Sequence, residues 1–394
     1  MWTAVSSHTS GNSLNNMTDM RRIVLCAAAV MAAALAISCG SQDIKVTVEN
    51  GSDLGRVNET VELDFGSIIA GHPEITAENV VVTDAAGVQV PSQVYTEDYG
   101  MVKLIFQATV DAQSSSVYTV KAGEREAYDT LVFSRYVPER LDDYAYENNR
   151  IAGRVYGPAL EFPRTLGPDI WTKKVESLVV DKRFALNDYH HDHGDGMDCY
   201  KVDATLGGGA LAPYADGKIV LGDNYETYDR LCNGPVRTKV LFTYKPFDVN
   251  GHQVTLKREF TVDANTNFIK VSNWFNSASD ELPVVLGAVL HDVIAREDGD
   301  HYIAFTEKAS DSADPDADGN ISVGLVADPA VGDIEADTVE GHAVLKYTVT
   351  PGKRADVWIG SGWSKGGIES PEAWAGMVKD FAYAQAHPLK VTVE

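Results

Sequence analysis

The sequence predicts an all-β protein, an antiparallel β-sandwich with few short helices. Apolar and polar residues alternate with a period of two at 44–48, 61–65 and 102–106. Such alternation, broken by turn dipeptides such as Asn50-Gly51 and Asn250-Gly251, is typical of antiparallel strands with one buried face. We therefore expect sheet structure through most of the chain.

The later part of the chain continues this pattern and adds one helix. Ser370 can cap the helix and Pro371 suits its first turn, while Trp374, Val378 and Phe381 fall on one face. No other stretch shows such clear helical spacing. Further alternating stretches lie at 254–256, 269–273 and 389–393.

An export signal precedes the first predicted strand. Met20 is followed by Arg21-Arg22, an apolar run and the segment LAISC, which ends at Cys39. A basic start, an apolar run shorter than the roughly 20 residues of a transmembrane helix and a small residue before the cleavage point are typical of a secretory signal. LAISC resembles a bacterial lipobox; the alternative is an ordinary signal peptide with an incidental cysteine. We expect Cys39 to become the acylated first residue of a lipoprotein anchored to a membrane of the bacterial envelope, in the periplasm or at the cell surface.

The predicted cleavage point divides the chain into parts. Residues 1–38 comprise upstream residues and the signal peptide, residues 39–125 a first β-sandwich part, and residues 126–394 a main β part with the unusual chemistry. No Pro- or Ser-rich linker separates the last two parts. We therefore expect them to pack together.

The formal charge of −24 limits the partners of the protein. It argues against nucleic acid, although a local basic pocket can still bind an acidic substrate. Among four cysteines, Cys199 and Cys232 remain once the signal and the lipid site are set aside, and they form either one disulfide or two buried thiols. No zinc-like cysteine spacing is present, and we expect neither a metal nor a cofactor.

The densest group of reactive side chains is YHHDHGDGMDCY, residues 189–200. Alternation places Tyr189, His191 and His193 on one side of an extended segment and His190 on the other. Groups with near-neutral pKa values suit proton transfer. Metal binding and a solvated polar loop are the alternatives.

Arginines on either side of this group are candidates for binding a carboxylate. Arg150 and Arg154 lie in a segment that alternates toward one face, and Arg237 follows an Asn-Gly-Pro turn. A guanidinium fork binds carboxylates through two parallel hydrogen bonds. A structural ion pair with a neighbouring acid is the alternative for each of them.

Together these segments resemble a bacterial family known as a domain of unknown function, DUF4861. The matching pieces are DDYAYENNRIAGRVYGPAL, DIWTKK, YHHDHGDGMDCYKV with LGGG after it, and NGPVRT, which cover much of residues 140–240. The resemblance implies a mutarotase-like supersandwich in an exported protein of polysaccharide utilisation. One similar protein is described as an ulvan oligosaccharide dehydratase, so the resemblance also implies activity on uronic acids.

The resemblance and the residues favour a carbon–oxygen lyase acting on uronic-acid-containing oligosaccharides, as a dehydratase at the terminal uronate or a chain-cleaving lyase. Elimination requires removal of the C5 proton, neutralisation of the adjacent carboxylate and protonation of the departing oxygen. His190, His193 and Tyr189 are the predicted proton-transfer residues, and His190 is preferred because it aligns with the Tyr-His pair of the family. The predicted substrate-binding residues are Asn149, Arg150, Arg154, Tyr156, Trp171 and Arg237.

Two other functions fit the sequence. A glycoside hydrolase would use a pair among Asp143, Glu147, Asp195 and Asp198. A non-catalytic sugar-binding lipoprotein would stack Trp171 and nearby tyrosines on sugar rings. A lyase or dehydratase produces an unsaturated uronate that absorbs in the near ultraviolet, a hydrolase produces only a new reducing end, and a binder produces neither.

The first testable expectation concerns anchoring. Cys39→Ala should leave the protein without lipid, because only the thiol accepts the diacylglycerol. Metabolic labelling with a fatty-acid probe, comparing mutant with wild type, measures this. Equal labelling of the two proteins would end the lipoprotein assignment.

Overall fold

Antiparallel strands make up most of the structure, a computed structural model that describes residues 43–162 and 164–394. The prediction of an all-β fold with few helices is confirmed. The export signal and Cys39 lie outside the described residues, so the lipid anchor stays a prediction. Within the described part of the chain, no helix combines the length and the apolar character that crossing a membrane requires.

The first part of the chain forms a two-sheet sandwich. Its strands are β1 (Ile44–Asn50), β2 (Arg56–Asp64), β3 (Val80–Thr83), β4 (Gln89–Val90), β5 (Ser92–Thr96), β6 (Val102–Val110) and β7 (Ser114–Ala122), joined by the last strand of the chain, β26 (Lys390–Val393). One sheet has the order β26-β1-β7-β3-β4 and the other β2-β6-β5. Val46 and Val48 from β1 share a fully buried core with Leu104 and Phe106 from β6.

Two details of this sandwich differ from simple strand alternation. The C-terminal strand returns to pair with β1, with Val393 opposite Val46, so both ends of the described chain build one sheet. Strand β2 stops at Asp64, whose carboxylate accepts hydrogen bonds from the first N–H groups of helix α1 (Phe65–Gly71). Phe65 is therefore buried as a helical residue and not as the last strand residue.

A four-stranded sheet follows and carries most of the candidate site. It contains β8 (Val132–Val137), β9 (Asp143–Asn148), β10 (Ala152–Val155) and β11 (Asp169–Trp171), in the order β11-β10-β9-β8. A 3₁₀ turn, Pro138–Arg140, connects β8 to β9. Helix α2 (Val180–Leu186) buries Val180 and Phe184 against Trp171 and Ala152 of this sheet.

The main sandwich consists of a five-stranded and a nine-stranded sheet. Its strands are β12 (Ala210–Ala215), β13 (Lys218–Ile219), β14 (Thr227–Gly234), β15 (Arg237–Thr243), β16 (Phe247–Val249), β17 (His252–Asp263), β18 (Phe268–Asn276), β19 (Leu282–Val289), β20 (Val293–Asp298), β21 (Tyr302–Lys308), β22 (Asn320–Ala327), β23 (Glu335–Val339), β24 (His342–Val349) and β25 (Arg354–Trp363). The smaller sheet has the order β13-β12-β19-β24-β23. The larger one has the order β14-β15-β17-β18-β25-β22-β21-β20, with β16 beside β17. Leu286 and Leu345 of the smaller sheet and Phe260 and Ile359 of the larger one belong to a single core.

Helix α3 (Pro371–Ala386) matches the predicted helix. Ser370 Oγ accepts a hydrogen bond from the Ala373 N–H at 3.1 Å, and Pro371 occupies the first turn. Trp374 and Val378 are fully buried on the face that packs against the nine-stranded sheet. A second 3₁₀ turn, Ser364–Gly366, precedes this helix.

The two cysteines of the folded part are free thiols. Cys199 belongs to the core of the main sandwich, whereas Cys232 lies half-buried on β14 beside Tyr95, Ile105 and Val236. The sequence left open one disulfide or two buried thiols, and in the structure Cys199 and Cys232 are unpaired.

Candidate active site

A buried guanidinium lies at the centre of the candidate site. Arg154 on β10 is only 3% exposed, and its Nε donates to Asp169 Oδ2 on the adjacent β11 at 2.8 Å. Its Nη2 lies 3.2 Å from Asp198 Oδ2, and its Nη1 lies 3.6 Å from Asp143 Oδ2 on β9. One cation therefore faces three carboxylates from three different segments of the chain.

Three aromatic rings enclose this guanidinium. Its carbon lies 5.1 Å from the ring centre of Tyr156, 5.5 Å from that of Trp171 and 5.0 Å from that of Tyr189. Trp171 is fully buried and stacks on Tyr189 with 5.1 Å between ring centres. Tyr156 and Trp171, both predicted to bind substrate, therefore contact Arg154 inside the protein.

The carboxylates around Arg154 hold protons more tightly than exposed ones do. Burial raises the pKa of Asp143 from its usual 3.8 to about 6, although Arg154 opposes the change. Burial also raises the pKa of Asp169, and burial together with Asp169 raises that of Asp198 well above its usual range. Neither Asp143 Oδ2 nor Asp169 Oδ1 has a hydrogen-bond partner in the described structure. Each of these carboxyl groups therefore ionises at a higher pH than an exposed aspartate does.

His190 lies at the solvent-facing edge of this cluster. Its side chain is 47% exposed, and its Nδ1 lies 3.1 Å from the backbone oxygen of Asp198 and 3.7 Å from Asp311 Oδ2. A carbonyl oxygen can only accept, so Nδ1 carries the hydrogen and the lone pair of the neutral ring lies on Nε2. That nitrogen has no hydrogen-bond partner among the described residues, so the ring is oriented as a base open to solvent.

The other two histidines of the segment bind a different carboxylate. His191 Nδ1 lies 2.6 Å from Asp188 Oδ1, and His193 Nε2 lies 3.2 Å from Asp188 Oδ2. Hydrogen bonding to Asp188 raises the pKa of His191. The structure thus separates His193 from the contacts that join Tyr189 and His190, whose ring centres are 4.9 Å apart.

The hydroxyl group of Tyr189 lies between two guanidinium groups. It accepts hydrogen bonds from Arg154 Nη1 at 3.2 Å and from Arg140 Nε at 3.4 Å. Its lone pairs are therefore directed at cations, and its own hydrogen remains free to donate.

Arg140 is a member of the site that the sequence did not indicate. It forms no ion pair with any described residue, and its Nη1 is buried without a hydrogen-bond partner. Arg140 ends the 3₁₀ turn, and Leu141 and Asp142 after it both have left-handed backbone conformations. Gly157 packs so closely on Asp142 that a Cβ there would lie 1.9 Å from the Asp142 oxygen. A turn without periodicity gave no pattern from which Arg140 could be found.

The remaining predicted binding residues lie in other environments. Arg150 is half exposed and pairs with Glu176 at 3.2 Å. Asn149 is buried, where its amide nitrogen donates to Asn265 Oδ1 at 3.0 Å. The structure does not join either side chain to the Arg154 cluster.

Arg237 lies where the first sandwich meets the main one. Its guanidinium donates two hydrogen bonds to Asp263, at 2.6 and 2.8 Å, and further bonds to Glu62 and Tyr95. Arg237 therefore connects the two sandwiches through neutralised, buried contacts.

The carboxylates considered for hydrolysis are likewise buried and paired. Both oxygens of Glu147 accept from backbone N–H groups at the start of α2, and Oε2 lies 2.9 Å from Lys173 Nζ. Asp195 pairs with Lys182 and Arg183. No group of three or more His, Cys, Asp or Glu side chains in the described ranges is arranged to hold a metal ion.

The raised pKa of Asp143 predicts how stability depends on pH. Between its unfolded value of 3.8 and its folded value of about 6, the folded protein binds more protons, so its stability falls as pH rises through this window. The loss attributable to Asp143 is about 3 kcal/mol, at about 1.4 kcal/mol per tenfold change in proton affinity. Asp143→Asn should remove this part of the fall, as measured by urea unfolding from pH 4 to 7.5. Asp129→Asn, at an exposed carboxylate, is the control, and parallel curves for wild type and Asp143→Asn would contradict the expectation.

Comparison with known proteins agrees with the architecture. The family model of a domain of unknown function, DUF4861, matches residues 48–391. "Uncharacterized protein P7" of Formosa agariphila is 33% identical over 286 residues, covering 67% of this chain and 71% of that protein.

Two solved structures share the fold. A glycosyl hydrolase family 38 protein from Enterococcus faecalis superimposes with a TM-score of 0.51 at 11% identity, and an α-mannosidase from Enterococcus faecalis V583 superimposes with a TM-score of 0.52 at 10% identity. Each match covers 94% of this chain, which spans about half the length of those two proteins, 50% and 48%. At such identities the likeness shows a shared fold alone, whereas the family match is direct: the chain belongs to the DUF4861 family.

Proposed function

We propose that this protein is a carbon–oxygen lyase that acts on uronic-acid-containing oligosaccharides. The observation that carries the proposal is the grouping of three side chains: His190 with an open imidazole nitrogen, Tyr189 with a hydroxyl that accepts from arginines and keeps its own hydrogen free, and Arg140 without an ion pair in the described structure. The solved structures of similar fold are a glycosyl hydrolase family 38 protein and an α-mannosidase, which supports a carbohydrate substrate.

Arg140 meets the first requirement of the reaction, which is to neutralise the carboxylate beside C5. The other cations near the site each face a carboxylate of the protein, as Lys173 faces Glu147 and Arg154 faces Asp169. Arg140 forms no ion pair within the described structure, although its charge lowers the pKa of the buried Asp143; a substrate carboxylate would be its direct partner. A charge at this point stabilises the enolate-like intermediate that forms when the C5 proton leaves.

His190 and Tyr189 divide the two proton transfers. Nε2 of His190 takes the C5 proton, because Nδ1 already donates to the Asp198 carbonyl. Tyr189 donates its hydroxyl proton to the oxygen leaving C4, and the guanidinium groups of Arg154 and Arg140 stabilise the phenolate that results. The C5–H and C4–O bonds break, the C4–C5 double bond forms, and either water or the shortened sugar chain departs.

The first test is removal of the base. His190→Ala should lower turnover of a uronate oligosaccharide by about 10²–10⁴-fold with little change in thermal stability, because the ring is half exposed and transfers a proton. The assay follows near-ultraviolet absorbance of the unsaturated product, and mass spectrometry distinguishes loss of water from chain cleavage. His191→Ala, at an exposed neighbouring ring bound to Asp188, is the matched control. Unchanged turnover of His190→Ala would refute the assignment, and a new reducing end without absorbance would point to a hydrolase.

The second test concerns the carboxylate clamp. Arg140→Met should lower kcat/KM on uronates by about 10- to 100-fold, since a hydrogen bond to a charged group contributes about 1.5–3 kcal/mol. Stability should change little, because the Arg140 side chain loses only a long hydrogen bond to Tyr189, 3.4 Å, and its Nη1 is already buried without a partner. Arg150→Met, at a half-exposed arginine paired with Glu176, tests whether loss of any nearby positive charge has the same effect. Equal losses in the two variants would contradict a specific clamp at Arg140.

A further inference from the structure

Besides His190, a second histidine has a ring nitrogen that no described residue occupies. His291 lies between β19 and β20, and Glu307 lies near the end of β21. The Nδ1 of His291 lies 2.7 Å from Glu307 Oε1, and its backbone N–H donates to Glu307 Oε2 at 3.0 Å. Both oxygens of one carboxylate thus orient one imidazole.

The residues around His291 and Glu307 hold the imidazole ring of His291 in one orientation. Glu307 is fully buried and forms no ion pair with any lysine or arginine of the described ranges. The Tyr200 ring meets His291 edge-on, with 5.3 Å between centres, and its hydroxyl donates to the Val289 oxygen at 2.6 Å. Burying a carboxylate is unfavourable unless it is paired, so Glu307 depends on His291 for its compensation.

A comparison within the chain separates this ring from a structural histidine. His342 is buried and uses both ring nitrogens, Nε2 for the Leu206 N–H at 3.2 Å and Nδ1 for the Glu340 oxygen at 2.9 Å. The His291 side chain is 21% exposed, and its Nε2 has no hydrogen-bond partner among the residues described. The ring is held by the protein on one side and open on the other.

One short segment connects this ring to His190. The Lys308 N–H donates to the oxygen of Asp292, the residue after His291, and the Asp311 N–H donates to the Cys199 oxygen. The carboxylate of Asp311 lies 3.7 Å from His190 Nδ1. Lys308 and Asp311 are three residues apart, at most about 11 Å of extended chain. Residues 308–311 therefore run between the two histidines.

We propose that His291, oriented by Glu307, forms a second sugar subsite and that its Nε2 binds a hydroxyl group of the sugar next to the reacting uronate. The inference rests on the proposed function, because it extends the same bound oligosaccharide. The exposed charges nearby are of both signs, such as Lys308, which pairs with Asp292 and Asp316. The subsite therefore suits a hydroxyl group better than a second anion. Glu307 is a positioning residue that acts through the imidazole.

The test measures turnover against substrate length. The substrates are the methyl glycoside of glucuronic acid and the di- and tetrasaccharides that end in it, and the variants are His291→Asn and Glu307→Gln. Asparagine keeps a donor toward Glu307 but lacks Nε2. His252→Asn, at an exposed histidine that begins β17, is the control. Thermal unfolding of each variant is recorded, and carbethoxylation of wild-type His291 with and without tetrasaccharide provides a measurement that needs no substitution.

The expected result is a loss that depends on length. His291→Asn should match wild type on the methyl glycoside and lose about three- to tenfold in kcat/KM on the longer substrates, mainly through KM, as expected for one hydrogen bond. Glu307→Gln should show the same dependence, and tetrasaccharide should protect His291 from modification. Equal losses at all lengths, no loss at any length, or no protection would each overturn the subsite while leaving the lyase assignment intact. A wild-type protein that turns over no uronate would overturn the proposed function and the subsite together.

Discussion

The candidate site depends on the neutralisation of one buried guanidinium. Arg154 points from β10 into the protein, where an unpaired cation would be strongly unfavourable. Its compensation comes from Asp143 on β9, Asp169 on β11 and Asp198 in the segment after α2. Two of these partners reinforce pairings that the sheet already makes. The third partner, Asp198, lies in an irregular segment, and its ion pair with Arg154 holds that segment against the sheet. This contact determines where the histidine-rich segment lies.

The orientation of His190 follows from this attachment. Asp198 holds Arg154 with its side chain and accepts from His190 with its backbone oxygen, so one residue connects the buried charge to the exposed imidazole. Tyr189 is fixed in a similar way, by stacking on Trp171 and by the guanidinium that its hydroxyl faces. Contacts with a rigid sheet thus position the side chains of Tyr189 and His190, which lie on a loop, and functional residues on loops are commonly held in this way. Trp171 contributes to the site by supporting Tyr189.

Local patterns in the sequence predicted the strands and the long helix, because the spacing of apolar residues and the capping of a helix are properties of neighbouring residues. Local patterns could not predict which charged side chains pair with each other across the fold. Arg237 meets Glu62 from 175 positions away, and β26 pairs with β1 from the opposite end of the chain. Strand alternation would place Tyr189 and His190 on opposite sides, so grouping the predicted proton-transfer residues required a loop or bulge; residues 189–193 form a turn and a bend in place of a strand. Tyr189 and His190 can therefore face the same cluster, while His191 and His193 turn to Asp188.

The charge balance of the whole molecule explains why a single arginine matters. A chain with a net charge of −24 repels an acidic sugar at long range, so the proposed uronate substrate would need a cation close to its carboxylate. The basic side chains around the site are largely occupied: Lys173 by Glu147, Lys174 by Asp192, and Lys182 by Asp195. Arg140 is the exception among the described residues near Tyr189, since it touches the tyrosine hydroxyl and no carboxylate. Under the proposed function, selectivity for a uronate over a neutral sugar would depend on the charge of this one guanidinium. Because Arg140 contacts the Tyr189 hydroxyl, the same guanidinium would bind the substrate carboxylate and assist the proposed elimination.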